Sequence, residues 1–261
     1  NASGCAAGTA TVKNVTVNSL PVPTITGPAS VCQNSTGNVY STQAGMTGYI
    51  WSVSAGGTIT AGGSSTANTV NVTWNTTGPK TVSVNYNNAN GCTAATPTVY
   101  NVTVNSLPVP TITGPESVCQ TSTGNVYSTQ AGMTGYTWSV SAGGTITAGT
   151  GTNAITVTWN TTGPQTVSVN YNNANGCTAA SPTVYNLMVN SLPVPTITGP
   201  ASACQNSTGN VYSTESGMTG YNWSVSAGGS ITGGTGTNAI TVTWNTTGPQ
   251  TVSVNYTNAN G

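Results

Sequence analysis

Phenylalanine, histidine, aspartate and arginine are all missing from this chain of 261 residues. Only Lys13, Lys80, Glu116 and Glu215 carry charge at neutral pH, whereas about a quarter of an ordinary soluble domain is charged. Nucleic-acid binding needs basic residues to displace counterions, so nucleic acid is excluded as a partner. The many Ser and Thr hydroxyls have neither His nor Asp to activate them, and the two Glu occupy unrelated positions. The chain therefore reads as no enzyme. Calcium wants several carboxylates, and zinc without His would need four thiolates brought together, so neither a metal nor a cofactor is expected. Long apolar runs are lacking too, which excludes membrane insertion through a helix. The first residues have no basic-plus-apolar signal pattern, so a secreted form is expected to have lost its signal or to carry it elsewhere.

What is present is repetition. "NSLPVPTITGP" stands at 18–28, 105–115 and 190–200, and "STGNVYST" at 35–42, 122–129 and 207–214. Trp74, Trp159 and Trp244 close the same phrase at a spacing of 85 residues. That period is too long for a solenoid coil and suits a small β-domain. Regularly spaced Val, Ile, Trp and Tyr argue against disorder, and near-zero net charge favours self-association.

Within the first copy, alternation and turn residues predict strands at 24–26, 38–42, 49–54, 58–60, 69–75, 80–87 and 96–105. In 80–87, Val82, Val84 and Tyr86 share one face while Thr, Ser and Asn take the other, the signature of a sheet with one dry side. "NTTGP" and "NANG" supply turns, and no stretch has a helical period. The fold class is all-β: tandem immunoglobulin-like sandwiches in a linear array. The expected domains are 20–106, 107–191 and 192–261, preceded at 1–19 by a final strand without a body.

"YIWSVSAGG" (49–57), "YTWSVSAGG" (136–144) and "YNWSVSAGG" (221–229), with the "NANGC" turn and "ITGP…VC", resemble the PKD-like repeats of bacterial surface proteins, notably from Bacteroidota. The resemblance covers the whole chain, but the acidic turn that usually follows the Trp is replaced by Ser, Val and Ala. It implies an extracellular or cell-surface spacer, adhesin stalk or accessory module. Trp51, Trp138 and Trp223 fall where a sandwich places its core Trp. Trp74, Trp159 and Trp244 follow alternating apolar residues and either cap the core or stay partly exposed. The alternative is a multivalent binding module that recognises a surface glycan or host surface through near-identical exposed loops, such as "AGMTGY" at 44–49 and 131–136. Asn-x-Ser/Thr triplets occur at close to chance frequency and give no evidence of glycosylation.

Six Cys in three equivalent pairs suit an oxidising compartment. In a sandwich Cys32 lies near one end and Cys92 near the other, separated by more than about 20 Å. A disulfide needs Cα atoms within about 7 Å. In a tandem array the end bearing Cys32 faces the hairpin of the next domain, which pairs Cys32 with Cys177. The within-domain scheme, Cys32–Cys92 with Cys119–Cys177, remains open if the segment before 38 climbs back toward the hairpin.

Final-strand copies stand at 9–18, 96–105 and 183–190, so the first has no body before it and the third body has no such strand after it. An uncovered sheet edge invites another strand. The segment containing Thr9, Thr11, Val12, Val15 and Val17 has the matching alternation, and is expected to complete the third domain of a second copy. Cys5 would then reach a neighbour's Cys119, and Cys204 a neighbour's Cys92. The partner is the chain itself, as a homopolymer. The same joint within one unbroken repeat polypeptide is the alternative.

Overall fold

The computed structural model describes residue 4 and residues 8–259. It contains three β-sandwiches and, among the described residues, no helix long and apolar enough to cross a membrane. One compact unit runs to Leu107 and takes in Asn175–Cys177; the other has Pro108–Ala174 and the residues from Thr178 onward.

The first sandwich is built from β1 (Ser30–Cys32), β2 (Asn38–Ser41), β3 (Thr47–Val53), β4 (Gly57–Gly62), β5 (Thr69–Trp74), β6 (Gly78–Asn87) and β7 (Thr98–Asn105). One sheet has the order β2-β5-β4 and the other β1-β7-β6-β3. Strict alternation explains why the inner faces are dry: Val70, Val72 and Trp74 of β5 and Val82, Val84 and Tyr86 of β6 are buried together with Val102 and Val104 of β7. All-β chemistry, immunoglobulin-like topology and tandem repetition are thus the architecture.

The segment at 24–26 behaves differently from a simple first strand. It keeps one bridge, Thr26 to Ser41, and the chain then crosses to the opposite sheet, where β1 runs parallel to β7. Gly27 and Pro28 cause the switch. A Cβ on Gly27 would lie 2.4 Å from the Tyr40 ring, so only glycine lets the backbone pass that close. Proline then denies the next position a ladder donor. The "NANG" connection is also longer than a two-residue hairpin. Gly91 adopts φ of 76°, Asn88 caps the turn by accepting from Asn90 and Cys92 backbone N–H, and β7 begins only at Thr98.

The second sandwich repeats this with β8 (Ser117–Cys119), β9 (Asn125–Ser128), β10 (Thr134–Val140), β11 (Gly144–Ala148), β12 (Ala154–Trp159), β13 (Gly163–Asn172) and β14 (Thr183–Asn190), in sheets β11-β12-β9 and β10-β13-β14-β8. The third has only β15 (Asn210–Ser213), β16 (Thr219–Val225), β17 (Gly229–Gly233), β18 (Ala239–Trp244) and β19 (Val252–Thr257). Its sheets are β15-β18-β17 and β16-β19.

All six Trp are buried. Trp51, Trp138 and Trp223 donate Nε1–H to the carbonyls of Ala67, Thr152 and Thr237 at 2.8–3.0 Å. Trp74, Trp159 and Trp244, expected to cap the core or stay partly exposed, lie deeper: Trp74 and Trp159 are 0 % exposed. Gly57 and Gly144 make room, since a Cβ on either would fall 2.5 Å from the facing indole.

Each sandwich also has a corner fastened by one side chain. Gln43 accepts from Thr24 N–H and Thr42 Oγ1, and Gln130 from Thr111 N–H, Thr129 Oγ1 and Tyr171 OH. In the third sandwich Glu215 takes that place, accepting from Thr196 N–H and Oγ1, Thr214 Oγ1 and Tyr256 OH. Hydrogen bonds from Thr196 foremost, then Thr214, hold its carboxyl well below the usual carboxylate range. A depressed folded pKa gives stability that is present at neutral pH and lost as pH falls through and below the usual carboxylate range. The third sandwich is therefore expected to melt lower at pH 3 than at pH 7, read on the Trp223 and Trp244 indole NMR signals. Glu215→Gln should flatten that dependence. An unchanged acid profile in the variant would count against the corner bond.

Candidate functional site

The candidate site is the seat of each sandwich's final strand. In the first sandwich β7 lies between β6 and β1, with Val102 opposite Lys80 and Val104 opposite both Gly78 and Val31. Val102 and Val104 are each 2 % exposed. Polar contacts fix the strand at both ends. Thr98 Oγ1 donates to Pro23 O, Tyr100 OH to Gly27 O, and Asn105 Nδ2 to Ser30 Oγ. The Tyr100 ring stands edge-on to Tyr40 with centroids 5.9 Å apart. The second sandwich seats β14 in the same way, with Thr183 on Pro110, Tyr185 on Gly114 and Asn190 on Ser117.

Nothing among the described residues takes this seat in the third sandwich. β19 pairs with β16 alone and begins at Val252, although the Gly163–Val169 sequence of β13 recurs unchanged at 248–254. Ser202–Cys204, the counterpart of β1 and β8, forms no ladder with any described residue. The result is a groove of about 640 Å³ lined by Ile197, Gly199, Ala203, Tyr212, Trp244 and Val252. Val252 and Val254 are half-buried where Val82, Val84, Val167 and Val169 are fully buried.

The matching piece is uncovered elsewhere in the chain. Residues 8–18 join no strand, and Val12, Val15 and Val17 are 80 %, 75 % and 90 % exposed. Thr9 and Thr11 are exposed as well.

Cys32, at the end of β1, is bonded to Cys177 with Cα atoms 5.6 Å apart, and the stretch Asn175–Cys177 belongs with the first compact unit. Cys92 is a half-buried free thiol and Cys204 an exposed one; Cys119 is half-buried. Cys5 lies outside the described residues. Among the described residues no three His, Cys, Asp or Glu side chains gather where a metal ion could sit.

The PKD-like domain family matches the chain three times, over residues 18–102, 106–185 and 191–261. The chain belongs to that family. No curated protein matches it. Solved structures with a similar arrangement include the D00–D0 domain of intimin, at 17 % identity and TM-score 0.33 over 64 % of this chain and 99 % of that one. The Escherichia coli adhesin FdeC gives 16 % and 0.33 over 92 % and 93 %, and the bacterial integrin-binding protein invasin 16 % and 0.32 over 90 % and 57 %. With superposition this partial, these likenesses carry no argument about function. Among the described residues, the first two sandwiches seat β7 and β14 beside β6 and β13, and in the third β19 pairs with β16.

Proposed function

We propose that the chain is a structural subunit of an extracellular filament or stalk, with its PKD-like domains at 20–106, 107–191 and 192–261 and a donor segment at 1–19. Copies join head to tail when the donor segment of one fills the open third sandwich of another. The observation that carries this reading is the empty seat beside β19, set against three exposed valines in a segment that repeats the seated strand's sequence. Donor and acceptor are different surfaces, so the contact is heterologous, and it propagates as an open chain where its rotation does not close a ring. A disulfide from Cys204 to a neighbour's Cys92, both free thiols in the chain, stiffens the joint, which suits an oxidising extracellular setting. The near absence of charge and of any clustered acid–base groups fits a structural role without catalysis.

All six indoles are committed to the cores, so a glycan- or surface-binding module would work through its repeated loops and not through Trp stacking. A spacer within a longer repeat protein uses the same joint in one polypeptide. The test is the full chain carrying Val15→Asp and Val17→Asp, compared with the parent by electron microscopy and by light scattering. The parent is expected to give filaments, and the variant to stay monomeric with an unchanged far-ultraviolet spectrum. Filaments from the variant would sink strand donation. A parent that stays monomeric would favour the spacer.

A further inference from the structure

We infer that the Cys32–Cys177 bond is a tension-carrying shortcut with a redox-gated reserve of length behind it. A pull along the chain passes from residue 32 to residue 177 through the sulfurs, and residues 33–176 stay slack until the bond is reduced. The shortcut belongs to a single polypeptide, so it holds equally for a filament subunit and for a spacer in a longer chain.

The covalent path decides it. Cys32 closes β1 and Cys177 follows β13, 145 positions later, with Cα atoms 5.6 Å apart. A backbone pulled from both sides of such a bridge transmits force by the shorter route. What resists there is a covalent bond, whereas a strand pair is held by hydrogen bonds worth about 0.5–1.5 kcal/mol each. The slack segment contains β2–β7 of the first sandwich and β8–β13 of the second, with Trp51, Trp74, Trp138 and Trp159. Under load are β1, β14 and β15–β19. Unfolding the two shielded cores therefore cannot lengthen the chain while the bond is intact. Stretched at about 3.3–3.6 Å per residue, the 145 positions amount to about 500 Å of withheld length. A single backbone cut anywhere in 33–176 likewise leaves both ends joined.

The surroundings of the two sulfurs differ in a way that matters under load. Just inside the bridge, Gln33 N–H donates to Asn105 O and Asn34 N–H to Trp74 O, so these residues are tied to the slack cores. On the other side Thr178 is paired with Asn172, and its Oγ1 donates to Asn172 Oδ1 at 2.6 Å. That pairing borders Cys177 and lies where the load arrives. Cys177 is 0 % exposed, so a reductant reaches it only after local opening. Pulling Thr178 off Asn172 supplies the opening. Tension thus crosses the bond and also uncovers it.

Reduction is a two-electron exchange with a dithiol. One thiolate of the reductant attacks a bridge sulfur and expels the other as thiolate. The second thiol then closes the reductant's own disulfide and leaves two cysteine thiols. Residues 33–176 then enter the load path, and their sandwiches unfold in turn.

The experiment holds the full chain at both ends through thiol-free handles and stretches it at constant force, without and with dithiothreitol. Without reductant, the fully extended parent should be shorter than the Cys32→Ala, Cys177→Ala double variant by about 500 Å. The comparison does not need the variant to fold, because the extended length depends on the covalent path alone. With dithiothreitol, an already extended parent should lengthen by that amount in further steps, which begin sooner at higher force. Trypsin gives a second measurement: on the urea-denatured chain it cuts after Lys80, inside the loop. Residues 14–80 and 81–261 should stay together until reductant is added. Equal extended lengths in parent and variant, or fragments that separate without reductant, would overturn the shortcut. A waiting time for reduction that ignores force would overturn the uncovering of Cys177 by tension.

Discussion

Replacing Trp159 by Ala should be the most damaging single substitution in the second sandwich, costing about 3–5 kcal/mol. Single domains are stable by only about 5–15 kcal/mol, so the loss approaches the whole. For a domain of this size the melting temperature should fall by on the order of 20 °C. The indole is 0 % exposed and its Nε1–H donates to Tyr127 OH at 3.3 Å. Its ring also meets Tyr127 edge-on with centroids 6.3 Å apart. Truncation leaves a cavity bounded by the backbone at Gly144, which has no side chain to collapse into it. The equivalent Trp244→Ala should cost less. Trp244 is 6 % exposed and lines the open groove, so solvent already reaches part of its surroundings and no sealed void forms. Differential scanning calorimetry of both variants checks the contrast. Equal losses would mean that the groove beside Trp244 does not loosen the third core.

Most of the fold could be read from alternation, because a half-buried strand must place every second residue inward. "TVNVTWN" and "KTVSVNYN" announce β5 and β6 in this way, and their inward residues are those the structure buries. β1 and β8 were not legible. Three residues, Ser-Val-Cys, are too few to show a period, and their parallel pairing depends on a strand about 70 positions away. The switch at Gly27–Pro28 was not legible, because its necessity comes from the Tyr40 ring packed against Gly27. The depth of Trp74 and Trp159 could not be read from their own strand, because the space for them is made by glycines on the neighbouring one. Glu215 shows a missed signal that the sequence did contain. Laying "STQAGM" over "STESGM" places it in the Gln43 position, and the corner bonds follow.

Reducing the Cys32–Cys177 bridge should destabilise the first sandwich by about 4–5 kcal/mol and leave the third unaffected. The two residues are 145 positions apart, and closing a loop of that length restricts the unfolded chain by roughly 5 kcal/mol at 25 °C. When the first sandwich unfolds alone, the disordered part of that loop is shorter, running from Cys32 to about Leu107, where the second compact unit begins. The dependence on length is logarithmic, so the restriction falls only to about 4.5 kcal/mol. Kinetics should carry a second signature. Cys177 is fully buried, so a thiol reductant reaches the bond only after local opening. Reduction should therefore be slow under native conditions and accelerate steeply near the first melting transition. The Cys32→Ala, Cys177→Ala double variant separates the constraint from reductant chemistry, since alanine at the buried position introduces no polar group. Its Trp51 and Trp74 signals should melt earlier than in the parent, while Trp223 and Trp244 melt where they did. A double variant whose first sandwich melts with the parent would show that the bridge fixes a connection without restricting the unfolded chain.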